Sequence, residues 1–296
     1  MIDGMARTTI AVSPPPDEER AGPDSTRRDL FGSARRSMVP VRHIFVQKPR
    51  EEVALGTSRG STLAWFVRER QSRALDLYLL SVGLFPVLSG TPLPAAAWAR
   101  LVTPEAHAAA STAGISKVWS VLEDQKLIGR QARIRRLANV LPLHESGSGQ
   151  PYQVPGLDRK GTSKGYFYVP GSYWLENWQN TLSLPAKAML LIWLSATHRE
   201  PAFSMTYEQT PQWYGLSERT AERGIQELLK VGLMTEVRQR VRAPRTSLGF
   251  TYVHHRMLTG DFSYSARNEA RKAMARQARR AATKNTAAKN SSGGRP

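Results

Sequence analysis

Apolar and polar positions form their clearest pattern between residues 184 and 257. An apolar run with proline near its start predicts a buried helix, because proline is tolerated in the first helical turn. Thr206 and Ser217 can cap the two helices that follow, and Gly232 is typical of a helix end. Two strand-like segments come next, separated by turn residues. The expected elements are helices over 184–194, 206–214 and 218–231, then strands over 233–241 and 249–256.

Two short motifs give this order of elements a specific meaning. Residues 215–220, Gly-Leu-Ser-Glu-Arg-Thr, resemble the turn and the start of the recognition helix in bacterial winged helix-turn-helix proteins. Residues 228–234, Leu-Leu-Lys-Val-Gly-Leu-Met, resemble the end of that helix where it leads into the wing. The resemblance implies a DNA-binding unit whose third helix enters the major groove and whose hairpin forms the wing.

The two sides of the predicted recognition helix differ in chemistry. At 100° per residue, Ala221, Ile225, Leu228 and Leu229 fall on one side and should pack into the core. The opposite side carries Arg, Gln and Lys, which suit guanine, adenine and phosphate. Glutamates flank this stripe, so an ordinary solvated face with Glu–Arg pairs is the alternative. We predict base contacts from Arg219, Thr220, Arg223 and Gln226, and phosphate contacts from Ser217 and Lys230.

The predicted hairpin is also basic. Five arginines stand on it against Glu236, so strand and wing can straddle a phosphate backbone or enter the minor groove. These arginines are Arg238, Arg240, Arg242, Arg245 and Arg256, of which the first four are predicted phosphate contacts.

A weaker copy of the same pattern precedes this unit. A third helix should begin near Thr103, and it either runs to Gln125 or breaks near Gly114. The basic segment after it predicts a strand, a tip rich in Gly, Ser and Pro, and a returning strand. The expected elements are helices over 74–84 and 94–101, the third helix, strands over 128–143 and 164–170, and a tip over 145–161.

This first unit has a poorer reading face. The positions that match the recognition stripe are Ala113, Lys117, Ser120 and Asp124. We therefore expect phosphate contacts rather than base contacts, and the unit is also a candidate platform for a homodimer. The connector carries Tyr173, Trp174 and Trp178, which should join the two units rather than stack on bases. The predicted phosphate contacts of the first unit are Lys117, Arg130, Arg133, Arg135 and Arg136.

Net charge agrees with a polyanionic partner. The chain carries 42 Lys or Arg against 24 Asp or Glu, a formal charge of +18. Residues 1–62 are polar and mixed in charge and predict a mostly disordered leader, in which either Met1 or Met5 is the start. Residues 261–296 predict a flexible basic tail that binds phosphates without sequence preference. Its expected contacts are Arg271, Lys272, Arg276, Arg279 and Arg280.

Several function classes are disfavoured by what the sequence lacks. Without cysteine there are no disulfides, thiol nucleophiles or cysteine metal sites, and the phosphate-loop, dinucleotide and zinc-protease motifs are absent too. We expect no enzymatic activity, no cofactor and no metal. The two most apolar stretches, 74–88 and 182–196, contain Asp76 and Lys187 and are shorter than the roughly 20 residues that a bilayer requires. We therefore expect no membrane partner and a cytoplasmic, nucleoid-associated location.

The sequence predicts a mainly α chain with small β hairpins, an α+β class built from two tandem winged-helix domains. The expected divisions are a leader over 1–62, a first winged-helix-like domain over 63–172, a second over 173–260 and a tail over 261–296. The expected function is sequence-specific binding of double-stranded DNA as a transcriptional regulator. A plasmid or phage replication initiator that binds origin repeats is one alternative. A structural or adaptor protein that does not read sequence is another.

Overall fold

Most of the chain is helical, and its strands pair as small antiparallel sheets. A computed structural model describes residues 21–103, 112–134, 137–155 and 165–292. The prediction of a mixed α and β chain with small antiparallel hairpins is confirmed at this level. The helices are α1 (Pro23–Ala34), α2 (Thr62–Arg68), α3 (Ser72–Gly83), α4 (Phe85–Leu88), α5 (Ala95–Leu101), α6 (Thr112–Asp124), α7 (Ser172–Leu175), α8 (Trp178–Thr181), α9 (Leu184–Ala196), α10 (Thr210–Tyr214), α11 (Glu218–Lys230) and α12 (Tyr264–Ser292). The strands are β1 (Met38–Arg42), β2 (Ile128–Ile134), β3 (Leu137–Pro142), β4 (Tyr166–Pro170), β5 (Met234–Arg242) and β6 (Phe250–Leu258).

Short-range signals place the elements of the second half. Ser217 caps α11 by accepting a hydrogen bond from the Thr220 amide at 3.2 Å, and a capping box joins Thr206 to Gln209 before α10. Gly215 ends α10 in the left-handed region, with φ at 69°. The predicted helices and strands over 184–256 are therefore confirmed, with ends that differ by one or two residues, except that a 3₁₀ turn over Tyr207–Gln209 occupies the start of the second helix and α10 begins at Thr210.

Part of the predicted leader is built into the core, which corrects the sequence interpretation for residues 21–62. Helix α1 buries Leu30 and Phe31, and strand β1 is buried along most of its length. Mixed charge and a proline run dominate the segment, and they conceal the short apolar strand Met-Val-Pro-Val that starts at Met38. Residues 1–20 of the predicted leader lie outside the described residues.

The returning strand of the first hairpin is a second correction. Strand β4 pairs with β1, in the register Val39↔Val169, and not with the segment after α6. That segment is two strands, β2 and β3, which pair with each other. No Gly or Pro marks the turn between them in the sequence, so the pattern suggested one long strand. The predicted tip begins with Glu145, which is buried and accepts a hydrogen bond from Arg42 at 2.6 Å, and residues 156–161 of it lie outside the described residues.

Other expectations for the first half agree with the structure where it describes them. Helices α3 and α5 match the predicted segments, and α6 passes through Gly114 without a break. Thr103 lies just after α5 and donates its hydroxyl to the Ala99 carbonyl. Residues 104–111, where the third helix is predicted to begin, lie outside the described part of the chain.

The two predicted units share one hydrophobic core. Buried side chains from α1 to the 3₁₀ turn Gly260–Phe262 form a single cluster. Trp174 of the connector is fully buried and stacks on Phe31 with ring centroids 5.0 Å apart, as a joining role requires. Between the units, α9 also packs on β4 and α2, so the second half is fixed against the first.

The predicted flexible tail is helical as far as α12 is described. Arg267 near its start is buried and donates to the carbonyl oxygens of Phe262, Leu194 and Thr197. The bonds to Leu194 and Thr197 satisfy carbonyls at the end of α9, and burial lowers the pKa of Arg267 to about 10. The helix is thereby anchored at one end, while its later residues that are described are mostly exposed. No helix in the described ranges has both the length and the apolarity that a bilayer crossing needs.

Candidate nucleic-acid interface

Helix α11 presents the predicted recognition stripe to solvent. Ala221, Ile225 and Leu228 are buried against the core, and Leu229 is half-buried. Gly224 allows the close approach of α11 to α9, because a Cβ there would lie 2.5 Å from the Pro185 carbonyl oxygen. The opposite face of the helix is exposed and consists of Arg219, Arg223, Gln226 and Lys230.

The basic side chains of this stripe are not neutralised by the neighbouring glutamates. In the described part of the chain, neither Glu218 nor Glu222 lies within ion-pair distance of Arg219, Arg223 or Lys230. The alternative of a face laced by Glu–Arg pairs is therefore not the arrangement found. Strong unpaired donors on one exposed helix face are what base edges and phosphates require.

Ser217 and Thr220 have a structural task at the start of α11. Besides the cap, their hydroxyl oxygens lie 2.8 Å apart in a second hydrogen bond. Both side chains therefore stabilise the helix terminus that carries Arg219. A hydroxyl that contacted DNA would have to do so while it keeps its hydrogen bond within the cap.

The hairpin β5–β6 collects arginines and aromatic rings on one face. Opposed residues of an antiparallel pair share a face, and Arg240 lies opposite Tyr252, as Arg242 lies opposite Phe250. The Arg240 guanidinium stands 4.0 Å from the centroid of the Phe250 ring, a cation–π contact. Period-two spacing puts Arg238 on the same face. We call this surface the wing face; its members are Arg238, Arg240, Arg242, Phe250 and Tyr252, and Arg245 is exposed in the turn beyond it.

At the root of the hairpin, the half-buried Glu236 carboxylate joins three basic side chains, one of which, Arg238 of the wing face, places its Nε 3.3 Å from Oε1. Arg256 Nε lies 2.8 Å from one carboxylate oxygen, and His254 Nδ1 lies 2.8 Å from the other. Burial would raise the pKa of Glu236, but the neighbouring His254 ring and the charge of Arg256 outweigh it, so the pKa lies below its usual value. Arg256 is 4% exposed and also donates to the Met205 carbonyl. The prediction that Arg256 belongs to the basic wing was wrong, because its guanidinium group is buried and paired with Glu236.

Among the predicted phosphate contacts of the first unit, Arg130 is paired with an acidic residue. Arg130 folds back onto α6, where it lies 3.1 Å from Glu123 and donates to Ser120. Lys117 is exposed on the same helix. Arg133 belongs to β2, but its side chain lies outside the described residues, as do Arg135 and Arg136.

A cleft of about 970 Å³ separates the start of α11 from the first unit. Ser217, Glu218 and Arg219 line one side, and Lys48 and Arg68 line the other. Sequence reasoning missed both of the latter, since Lys48 falls in the predicted leader and Arg68 at the end of α2. In the sequence, only their positive charge could have pointed to Lys48 and Arg68 as functional residues.

The segment before α2 holds α10 in place. Gln47 donates its amide to the Trp213 carbonyl at 2.9 Å, Ser58 donates to the Pro211 carbonyl, and the Arg59 amide donates to the Gln212 carbonyl. These bonds satisfy three carbonyls of a short helix. Residues of the predicted leader thereby support the turn that precedes α11.

The predicted tail contacts lie on one half of α12. At 100° per residue their positions fall within half of the helix circumference. Lys272 pairs with Glu269 at 2.7 Å, and Arg271 donates to Asn268. All five are exposed: Arg271, Lys272, Arg276, Arg279 and Arg280.

Across the ranges that the structure describes, no group of three or more His, Asp or Glu side chains is placed to hold a metal ion. Comparison of the chain with models of known protein families, with curated proteins and with solved structures finds no match.

Proposed function

We propose that the protein binds double-stranded DNA in a sequence-specific manner and acts as a transcriptional regulator. The observation that carries the proposal is the exposed stripe of α11, in which cations without ion partners among the described residues stand on a helix capped and packed by its opposite face. In this proposal α9, α10, α11 and the hairpin β5–β6 form a winged helix-turn-helix. The function is non-enzymatic.

The stripe supplies the chemistry for reading bases. An arginine can donate two hydrogen bonds to O6 and N7 of guanine, and a glutamine can pair with N6 and N7 of adenine. Arg219, Arg223 and Gln226 are assigned this role, with Thr220 as a further base contact. Lys230 and Ser217 are assigned to phosphates, where they position the helix.

The wing face supplies affinity. Arg238, Arg240 and Arg242 would neutralise phosphates beside the groove that α11 enters, with Arg245 at the tip. The rings of Phe250 and Tyr252 stand among them and limit the directions in which the guanidinium groups point. Two more cations, Lys48 and Arg68, stand beside the start of α11 and would face the same backbone.

The first unit would act as a second, phosphate-binding winged-helix-like domain. It contains α3, α5 and α6 before the hairpin β2–β3, and its core is continuous with that of the second unit. Because one core holds the two units at a fixed distance, the DNA site would have two parts with a fixed spacing between them. A homodimer would repeat that site with two-fold symmetry.

A replication initiator of a plasmid or phage is a second candidate function. The fixed pairing of two helix-and-hairpin units in one chain favours it, because such a protein binds repeated origin sequences with both units. The position of bound sites in the cell separates the candidates. Genome-wide footprinting of the tagged protein should find promoters for a regulator and clustered direct repeats for an initiator.

The base-reading role is tested with the purified full chain. Selection from a random DNA library should enrich one sequence, and Arg223→Ala should weaken binding to it by about 1 to 3 kcal/mol with little effect on scrambled DNA. Arg28→Ala, an exposed arginine on α1, is the matched control and should change neither. A salt-dependent gel shift without any sequence preference would instead favour an adaptor that does not read sequence.

A further inference from the structure

A second cleft, of about 660 Å³, opens between the end of β1, the end of α9 and the helix α10. We call it the His43 cleft, after the residue that directly follows β1. Clefts of roughly 300 to 1,000 Å³ are the usual size for small-molecule sites. None of the residues assigned above to bases or phosphates lines it.

Two arginines, Arg59 and Arg199, make the lining of the His43 cleft positive, with two histidines beside them. His43 and Arg59 come from the first half of the chain, and His198 and Arg199 follow α9. The described lining contains no Asp or Glu. Arg199 is exposed and forms no ion pair with any described residue, so its charge is available to a ligand.

His43 forms the inner wall of this cleft as a half-buried ring. Its Nδ1 lies 2.6 Å from the Ser195 hydroxyl, and its ring centroid lies 4.5 Å from that of His198. Burial, followed by the charges of His198 and Arg199, lowers the pKa of His43 to about 4. The ring is therefore neutral at pH 7. A positive region without a protein carboxylate to balance it favours an anionic occupant.

Aromatic side chains form another part of the wall. Trp213 is half-buried and faces Phe203, with ring centroids 6.3 Å apart and the planes tilted by 40°. Flat apolar surface beside cations suits a ligand that has a ring and an anionic group, because each part then meets its complement.

We propose that the His43 cleft binds a small planar anion, an aromatic or heteroaromatic ring that carries a carboxylate or a phosphate. Arg59 and Arg199 hold the anionic group, and Trp213 contacts the ring. The occupant bridges the two halves of the chain at α10, the helix that precedes the Gly215 turn. This binding does not depend on the proposed DNA function.

Calorimetric titration of the full chain at fixed ionic strength tests the proposal. The anionic probes are AMP and salicylate, each compared with its neutral counterpart, adenosine or salicylamide, and with inorganic phosphate. We expect one-to-one binding of at least one anionic probe, and at least tenfold weaker binding of its neutral counterpart and of phosphate alone. Arg199→Gln should weaken that binding at least tenfold, Arg199→Lys should retain most of it, and Arg28→Gln should not change it.

Three results would overturn the proposal. The first is that neither AMP nor salicylate binds the wild-type chain. The second is that Arg199→Gln and Arg28→Gln behave alike, which would indicate general attraction to a protein of formal charge +18. The third is that inorganic phosphate binds as tightly as AMP while salicylate does not bind. This result would show that the aromatic ring of the ligand adds nothing to binding, so Trp213 would not contact it. Because Arg199 is exposed, its variants should unfold at the wild-type temperature, and this is checked in parallel.

Discussion

Lys187 of α9 donates to both carboxylate oxygens of Asp76 on α3, at 2.9 and 2.7 Å, and a further hydrogen bond reaches the Ser72 hydroxyl at 3.1 Å. Lys187 and Asp76 are both buried, and they join the two predicted units inside the shared core. Burial raises the pKa of Asp76, and the facing ammonium group opposes this rise. The pair therefore holds α9 against α3 at one fixed position.

Removing one member of this pair should destabilise the protein strongly. Lys187→Met leaves the Asp76 carboxylate without its partner in the core, and we expect the free energy of unfolding to fall by about 3 to 5 kcal/mol. The double variant Lys187→Met/Asp76→Leu should recover most of that loss, because no charge remains buried. Urea unfolding of the single and double variants measures both effects. A single variant within about 1 kcal/mol of wild type would contradict the prediction.

The same two residues show how far sequence reasoning reaches. Each is the charge that interrupts one of the two most apolar stretches, and on that basis they argue against membrane spans. Their pairing joins positions 111 residues apart. No local pattern indicates such a partner, because the pairing depends on how α3 and α9 pack.

Local signals account for the success over the second half. Caps at Ser217 and Thr206, the left-handed Gly215 and the alternation of β5 act within a few residues, so the pattern alone places these elements and the exposed stripe of α11. Long-range pairing accounts for the failures. Strand β1 pairs with β4, more than 120 residues later in the chain. A short apolar strand in a polar segment therefore could not be recognised as part of the core from its own sequence. Arg256 was misassigned for the same reason, since its partners Glu236 and Met205 lie on other elements.

The contact between α11 and α9 should be sensitive to a single methyl group. A Cβ at Gly224 would lie 2.5 Å from the Pro185 carbonyl oxygen and 2.6 Å from Met189 Cγ, so Gly224→Ala must push the helices apart. We expect a loss of about 1 to 3 kcal/mol. Gly32→Ala is the matched control: it lies in α1 with open space around it and should stabilise the protein by up to about 1 kcal/mol. Thermal or urea unfolding of the two variants should move in opposite directions, and equal shifts would refute the account.

The wing face should contribute affinity without selectivity. Arg240→Ala removes one phosphate-neutralising charge, so we expect weaker binding to selected and scrambled DNA alike and a salt slope reduced by about 0.9. Phe250→Leu keeps the charge but removes the ring beneath the guanidinium, and it should have a smaller effect than Arg240→Ala. Fluorescence titrations at several salt concentrations give the slopes. A loss confined to the selected sequence would assign Arg240 to base reading instead.

The basic half of α12 should act on all DNA sequences equally. Replacing its five exposed cations, from Arg271 to Arg280, with Gln keeps the chain length and leaves the anchor Arg267 in place. We expect weaker binding to every sequence and a flatter dependence on salt. A second variant, in which Arg267→Gln alone is made, should instead lower the unfolding temperature, because buried carbonyls of α9 lose their donor. An unchanged salt slope in the first variant would exclude the helix from the interface.

Acidification should cost stability through His43. Its pKa is about 4 in the folded chain, against an ordinary value of 6.5, so the unfolded state binds more protons between these values and stability falls as pH drops from 6.5 towards 4. At pH 5 the contribution of this group is a loss of about 2 kcal/mol relative to pH 8. Burial is the main cause of the low pKa of His43, and the neighbouring His198, whose own pKa is lowered by burial, and Arg199 add to it. The variant His43→Gln does not titrate, so urea unfolding should show a shallower loss between pH 8 and pH 5 than in wild type, whatever its stability at pH 8. Parallel pH profiles for the two proteins would show that His43 accepts its proton in the folded state as easily as in the unfolded one.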